Sequence, residues 1–223
     1  MPNPDPAARR PLKSRELPFF KALAARLARG GVSPNAISFA SIVFGIAAGG
    51  ALSATAHSDG AVLRIWFLAA AAGIQLRLVA NLLDGMVAVE GRRGGPTGDL
   101  WNEAPDRVSD AATIIGAGLA AGSAPLLGFA AALMAVFVAY VRALGASVGA
   151  GQCFLGPQAK PHRMAVLTVA CLFSAAIPGA QGMFAQQPVS AVAVALWVMI
   201  LGGAVTAVRR LAFIARYLRT RTS

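Results

Sequence analysis

Acidic side chains are scarce in this sequence: nine Asp and Glu stand against twenty Lys and Arg in 223 residues, and charged residues of all kinds make up only 13%. Soluble domains carry about a quarter charged residues, so a water-exposed globular domain is excluded. Cysteine is nearly absent. Cys153 and Cys171 lack the paired spacing of a disulfide framework or a sulfur-ligated metal site, and both read as packing residues. The two histidines, His57 and His162, have no clustered ligand partners and read as loop residues. Two-residue alternation of apolar and polar positions is missing from the long Ala, Leu, Val and Ile runs, which excludes a membrane β-barrel. No short apolar segment ending in a small-residue cleavage site follows the basic stretch 1–15. The first hydrophobic helix is therefore expected to be retained.

What fills the chain is apolar: 57% of residues are hydrophobic and the mean hydropathy is +0.63. One core cannot hide that much apolar surface, so lipid must be part of the solvent, and helices then satisfy every backbone polar group. Apolar segments run over 36–56, 61–83, 99–121, 124–148, 164–180 and 188–208, each near the ~20 residues that a hydrocarbon core requires. The predicted fold class is all-α, a polytopic membrane protein with six transmembrane helices. Ahead of them, Leu17, Phe20, Leu23, Ala24 and Leu27 recur at helical spacing while Lys21, Arg26 and Arg29 lie elsewhere, as in an amphipathic helix lying in the membrane interface. Gly30 and Gly31 end that helix, and Ser33, Pro34 and Asn35 supply start signals for the first span. The organisation predicted is a polar basic tail (1–15), the interfacial helix (16–30), a six-helix membrane domain (31–216) and a basic C-terminal tail (217–223). The sequence shows no internal repeat.

The net charge of +11 does not point to nucleic acid, because the basic residues sit at the ends of spans. Arg9, Arg10, Lys13, Arg15, Lys21, Arg26 and Arg29 precede the first span, and Arg209, Arg210, Arg216, Arg219 and Arg221 close the last. Arg92, Arg93, Lys160 and Arg163 fall in connections on the same side, whereas the opposite loops near Asp59, Ser123 and Gln186 are almost free of Lys and Arg. Cationic loops stay cytoplasmic. Both termini are therefore expected in the cytoplasm, Cys153 is expected there too, and the cell's inner membrane is the expected location.

Six of the nine acidic residues, Asp84, Glu90, Asp99, Glu103, Asp106 and Asp110, crowd between positions 84 and 110. Ionisable groups at membrane depth are costly and normally face a cavity, a partner or a metal. Asn81 and Asp84 share one helix face, as do Asn102 and Asp106. Two facing helix ends would aim four oxygen ligands at one point, a donor set suited to Mg²⁺ or Mn²⁺. Between them, the glycine-rich stretch 91–98 offers backbone amides to a pyrophosphate.

These residues resemble the CDP-alcohol phosphotransferases, whose pattern is Asp-x-x-Asp-Gly-x-x-Ala-Arg, a spacer of about eight, then Gly-x-x-x-Asp-x-x-x-Asp. Here the same spacings hold Asn81, Asp84, Gly85, Ala88 and Val89, eight residues, then Gly98, Asn102 and Asp106. Three identities depart: two Asp are Asn, and the Arg is Val89. The stretch 32–38, Val-Ser-Pro-Asn-Ala-Ile-Ser, looks like the opening of the family's first membrane helix, and Tyr140 to Ala143 and the basic turn at Lys160 and Arg163 are also similar.

The resemblance implies that Asp84, Gly85, Ala88 and Gly98, with Asn35 from the opening stretch, bind the CDP moiety. It implies that Asn81, Asp84, Asn102 and Asp106 hold two metals, and that Asp106 is the general base toward an acceptor hydroxyl. It further implies a CDP-linked lipid such as CDP-diacylglycerol as donor, an alcohol as acceptor, CMP as product, and a homodimer. Asn still ligates through its carbonyl, but two negative charges replace four, so a second cation is held less strongly. Asp99, on one stripe with Asn102 and Asp106, either replaces some of that charge or only favours the positive helix end. Arg142, Lys160 and Arg163 either bind an acceptor phosphate or headgroup or serve the charge asymmetry. Asp110 reads as an interhelical glue residue with Arg107 one turn away, Arg77 as a phosphate contact or a snorkelling arginine, and Pro105 as a local helix opening. Two rival functions remain: a non-catalytic CDP-lipid-binding scaffold, suggested by the Asn and Val substitutions, and a small transporter, which the lack of an inverted repeat disfavours.

Overall fold

The computed structural model describes residues 16–90, 98–177 and 190–221. Every regular element among them is helical: α1 Pro18–Arg29, α2 Pro34–Ala54, α3 Gly60–Glu90, α4 Gly98–Gly118, α5 Pro125–Ser147, α6 Lys160–Ala176 and α7 Ala191–Arg221, with a 3-10 turn at Thr55–His57. The starts follow from local chemistry. Gly31 takes a left-handed φ of 78° just after α1, a conformation that costs glycine little. Ser33 then caps α2, its hydroxyl accepting from the Ala36 amide at 3.1 Å, with Pro34 opening the helix. Prolines in the first turns of α5 and α6 act the same way.

Four segments are long and apolar enough to cross a bilayer: Pro34–His57, Gly60–Val89, Pro125–Ser147 and Ala191–Thr220. Six such segments were expected, and α4 and α6 are the two that fall short. The first turns of α4 carry Asp99, Glu103, Asp106, Arg107 and Asp110, while α6 has only 17 residues and begins Lys-Pro-His-Arg. His162 therefore stands in a helical turn and not in a loop. Helices α3 and α7 outrun their expected spans, at 31 residues each, so that α7 continues through positions 217–221 of the expected tail. Positions 178–180 and 188–189, the edges of two expected spans, lie outside the described residues.

The core is built from small side chains. Helix α2 packs along both α3 and α4, and glycines allow the approach. A Cβ on Gly45 would sit 2.6 Å from the Cβ of Ser109, and one on Gly116 would collide with the backbone of Gly49. The Thr113 hydroxyl donates to the Gly45 carbonyl at 3.0 Å. Such small-residue seams are how helices associate where lipid removes the hydrophobic drive. Phe67, Ile74, Ile114, Met164, Leu167 and Leu196 complete the main core, and Ala24 of α1 packs with Ala80, Leu83 and Val87 of α3 in a second. Outside, Phe39, Ile65, Leu126, Leu133, Val169 and Leu201 are more than half exposed. Large apolar side chains over so many helices mark a lipid-facing surface, and the chain is a multi-pass membrane protein. Cys153 and Cys171 are buried and unpaired, as packing residues.

Candidate active site

The polar residues of α3 and α4 meet through a buried charge cluster. Arg77, with no solvent exposure, donates from Nε to Ser109 Oγ at 2.7 Å and from Nη2 to Asp110 Oδ1, and its Nη1 lies 2.9 Å from Met164 Sδ. Asp110 Oδ2 accepts from Arg163 Nη2 at 2.8 Å, and Arg163 Nη1 donates to the Gln158 carbonyl at 2.8 Å. One carboxylate, 2% exposed, thus holds two guanidiniums and ties α3, α4 and α6 together. The glue role expected of Asp110 holds, but its partners are Arg77 and Arg163 and not Arg107. Arg107 instead bonds Glu103 at 3.0 Å and lies 3.9 Å from Asp106. Arg77 does not snorkel, because both its ends are consumed inside the bundle.

This cluster sets the level of the site above it. One turn on from Arg77 stands Asn81, and one turn back from Asp110 stands Asp106, which places the two at matching heights. Asp84 is buried, with Oδ2 accepting from Ser38 Oγ at 2.8 Å and Oδ1 2.5 Å from the Gly85 amide. Asp106 Oδ1 accepts from Lys160 Nζ, the two side chains being 14% and 18% exposed. Both Asp106 and Lys160 lie within electrostatic reach of Asp84. The side-chain nitrogen of Asn81 is buried and has no hydrogen-bond partner among the described residues. Pro105, inside α4, cannot donate the backbone bond just before Asp106.

The remaining candidates separate. Arg142 Nη2 donates to Glu103 Oε1 at 2.5 Å, and its Nη1 lies 3.5 Å from Gln152 Oε1, at the exposed rim. Arg163, offered as a phosphate ligand, is buried and engaged with Asp110 and Gln158. Gly85 and Ala88 are half-buried on α3, Val89 is exposed, and Asn35 is exposed in the first turn of α2. Gly98, Asp99 and Asn102 belong to α4 by backbone, but their side-chain surroundings, and all of the stretch 91–97 with Arg92 and Arg93, lie outside the described residues.

Two features escape the sequence reading. Ser38, the last residue of the opening stretch, is the group that holds Asp84, and only its place one turn after Pro34 hinted at an inward face. The Lys160 partnership with Asp106 joins residues 54 apart in sequence, and no local spacing reveals it.

The donor set can be tested against the expected cation. Asn81, Asp84 and Asp106 offer only oxygen ligands, which a hard divalent ion prefers. The unpartnered Asn81 amide is the clearest sign: turned over, it presents its carbonyl in the same place. Among the described residues no group of three or more His, Cys, Asp or Glu stands ready for a metal. Among the described residues, Asn81, Asp84 and Asp106 suit one divalent cation, and their two carboxylates carry less charge than two such ions.

The same arrangement of helices exists in solved structures. It is the fold of phosphatidylinositol phosphate synthase. The Mycobacterium tuberculosis enzyme with CDP-DAG bound matches with a TM-score of 0.68 at 18% identity, over 89% of this chain and 94% of that one. Its complex with manganese and citrate gives 0.67 at 19% identity, over 87% and 88%. The apo form gives 0.63 at 20% identity, over 86% and 94%. No family model matches the sequence, and no curated protein does. At these identities the likeness to the synthase is one of fold.

Proposed function

We propose that this chain is a CDP-alcohol phosphotransferase, moving a phosphatidyl or similar phospho-alcohol group from a CDP-linked lipid to an alcohol and releasing CMP. The observation that carries the proposal is the meeting of α3 and α4 at the Arg77–Asp110 pair, which sets Asp84 and Asp106 on the two helices beyond it, in a fold whose solved representative has been seen with CDP-DAG and with manganese. Asp84, steadied by Ser38, binds with Asn81 at the nucleotide end, where Gly85, Ala88 and Asn35, with Gly98 by its place in the motif, serve the same nucleotide. Asp106 takes the proton of the acceptor hydroxyl as that oxygen attacks the β-phosphorus and the bond to CMP breaks. Asn81, Asp84 and Asp106, with Asn102 and Asp99 from α4, would hold a Mg²⁺ or Mn²⁺, which would supply charge stabilisation on the pyrophosphate. Arg142 and Lys160 stand on the acceptor side.

The test adds purified protein in lipid to CDP-diacylglycerol, Mg²⁺ or Mn²⁺ and a panel of alcohols and phospho-alcohols, and measures CMP. Metal-dependent CMP release with at least one acceptor is expected. Tight CDP-lipid binding with no release under any acceptor would instead favour the scaffold reading, which the occupation of Asp106 by Lys160 keeps open.

In this reading all six helices α2–α7 cross the inner membrane, α4 and α6 by turning their charges toward each other, and α1 lies in the interface. The site and both termini face the cytoplasm, and the protein works as a homodimer. Cys153 is buried and makes a poor reporter of orientation, so cysteines at the exposed positions Asp59 and His162 serve better. With the native cysteines removed, an impermeant thiol reagent added to intact cells should label Asp59→Cys and spare His162→Cys. The reverse pattern would put the site on the outer face.

A further inference from the structure

We propose that the ammonium of Lys160 takes the place of a second divalent cation, so that the site works with one bound metal ion and one built-in positive charge. The proposal rests on the transferase reading above and deepens it. The motif that this chain resembles carries four carboxylates, whereas Asn81 and Asn102 leave two, Asp84 and Asp106. Even with Asp99 on the same stripe of α4, the site has one carboxylate fewer than the motif, and two divalent ions a few ångströms apart would repel each other more than the neutral amides attract them. The structure shows what stands beside the remaining pair. Lys160 Nζ is bonded to Asp106 Oδ1 and acts electrostatically on Asp84 as well.

The lysine is held from both directions, unlike a solvated charge at a helix end. Behind it, residues 148–159 are fastened to α7: the Gln158 amide donates to Thr206 Oγ1 at 3.0 Å, and Arg210 Nε donates to the Leu155 carbonyl at 3.0 Å. Gly156 presses on Thr206 with a left-handed φ of 109°, where any Cβ would lie 2.5 Å from Thr206 Cγ2. Ahead of it, one turn along α6, Arg163 is locked to Asp110 and Gln158. The first residue of α6 is thus aimed into the site by anchors on α4 and α7. A lysine present only for loop-charge asymmetry would need none of them.

The rival role for Lys160 is contact with an acceptor phosphate alone, and metal binding separates the two. Full-length protein in lipid nanodiscs is titrated with Mn²⁺, free ion being read by its electron paramagnetic resonance signal. Wild type should bind one Mn²⁺ per chain. Lys160→Met should tighten Mn²⁺ binding by at least about tenfold, the effect of a unit charge on a divalent ion ~6 Å away even at the dielectric of water. Asn81→Asp with Asn102→Asp and Lys160→Met should bind two, while Lys160→Arg, which keeps the charge, should titrate like wild type. Two Mn²⁺ per wild-type chain would overturn the proposal. So would an unmoved isotherm in Lys160→Met accompanied only by a raised KM for a phosphorylated acceptor. If wild type binds no Mn²⁺ and releases no CMP, the transferase reading falls with it, a result unlike either of the others because in those the metal does bind.

Discussion

Asp106→Asn should lower CMP release by about 10²–10⁴, the contribution of a positioned general base, while CDP-lipid binding survives. The substitution keeps the side chain's size and one ligating oxygen but removes the proton acceptor. It also leaves the Lys160 ammonium without its carboxylate, so Mn²⁺ should bind more weakly, and the rate must be compared at saturating metal. Single-turnover CMP release, alongside equilibrium binding of the CDP-lipid, isolates the chemical step. A variant that turns over like wild type at saturating Mn²⁺ would reduce Asp106 to a ligand and remove the base from the mechanism.

The second large effect is structural. Asp110→Asn leaves Arg77 and Arg163 buried with no counter-charge, and sets an NH₂ donor against one of the two guanidiniums in place of an accepting oxygen. Breaking a buried ion pair by removing one partner costs about 3–5 kcal/mol, which should appear as a much lower thermal midpoint in detergent and faster proteolysis. Replacing the whole cluster, Arg77→Met with Asp110→Leu and Arg163→Met, should recover most of the loss, since apolar groups of similar volume often substitute for buried charges without penalty. If Asp110→Asn melts with wild type, the two arginines have other compensation and the tie between α3, α4 and α6 is not what holds the site level.

How far the sequence could be read is clearest at Asp84 and Asp110. Helical spacing puts Asn81 with Asp84, and Asn102 with Asp106, on common faces, and the structure joins the two helices that carry them through Arg77 and Asp110. Spacing cannot say what lies opposite. Ser38 reaches Asp84 across 46 residues and Arg163 reaches Asp110 across 53, because α2 and α6 pack at the site through glycine seams and a pinned loop whose tertiary geometry has no local signature. Arg107 was the nearest cation to Asp110 in sequence, yet a buried carboxylate is satisfied by whichever donors share its interior, and those were Arg77 and Arg163. Hydropathy located six apolar segments but overstated two of them. In α4 and α6 the apolar residues are real and the charges of Asp110 and Arg163 are internal, a distinction that a hydropathy sum does not make.

The Arg77–Asp110–Arg163 cluster also bears on how the chain enters the bilayer during synthesis. Each member is a charge of the kind that raises a helix's apparent insertion cost by about 2.5–3.5 kcal/mol at the bilayer centre, and two of them lie in the two helices that fall short as independent spans. Helix α3 emerges first and is apolar enough to carry Arg77 in alone. Helix α4 follows with the opposite charge, for which Arg77 is already waiting, but the second guanidinium, on α6, is made 53 residues later. With α4 and α6 spanning as proposed, insertion is expected to be ordered: α4 enters beside α3 with its carboxylate paired, and α6 enters after them and ahead of α7, as a key into a lock that only the finished α3–α4 pair provides.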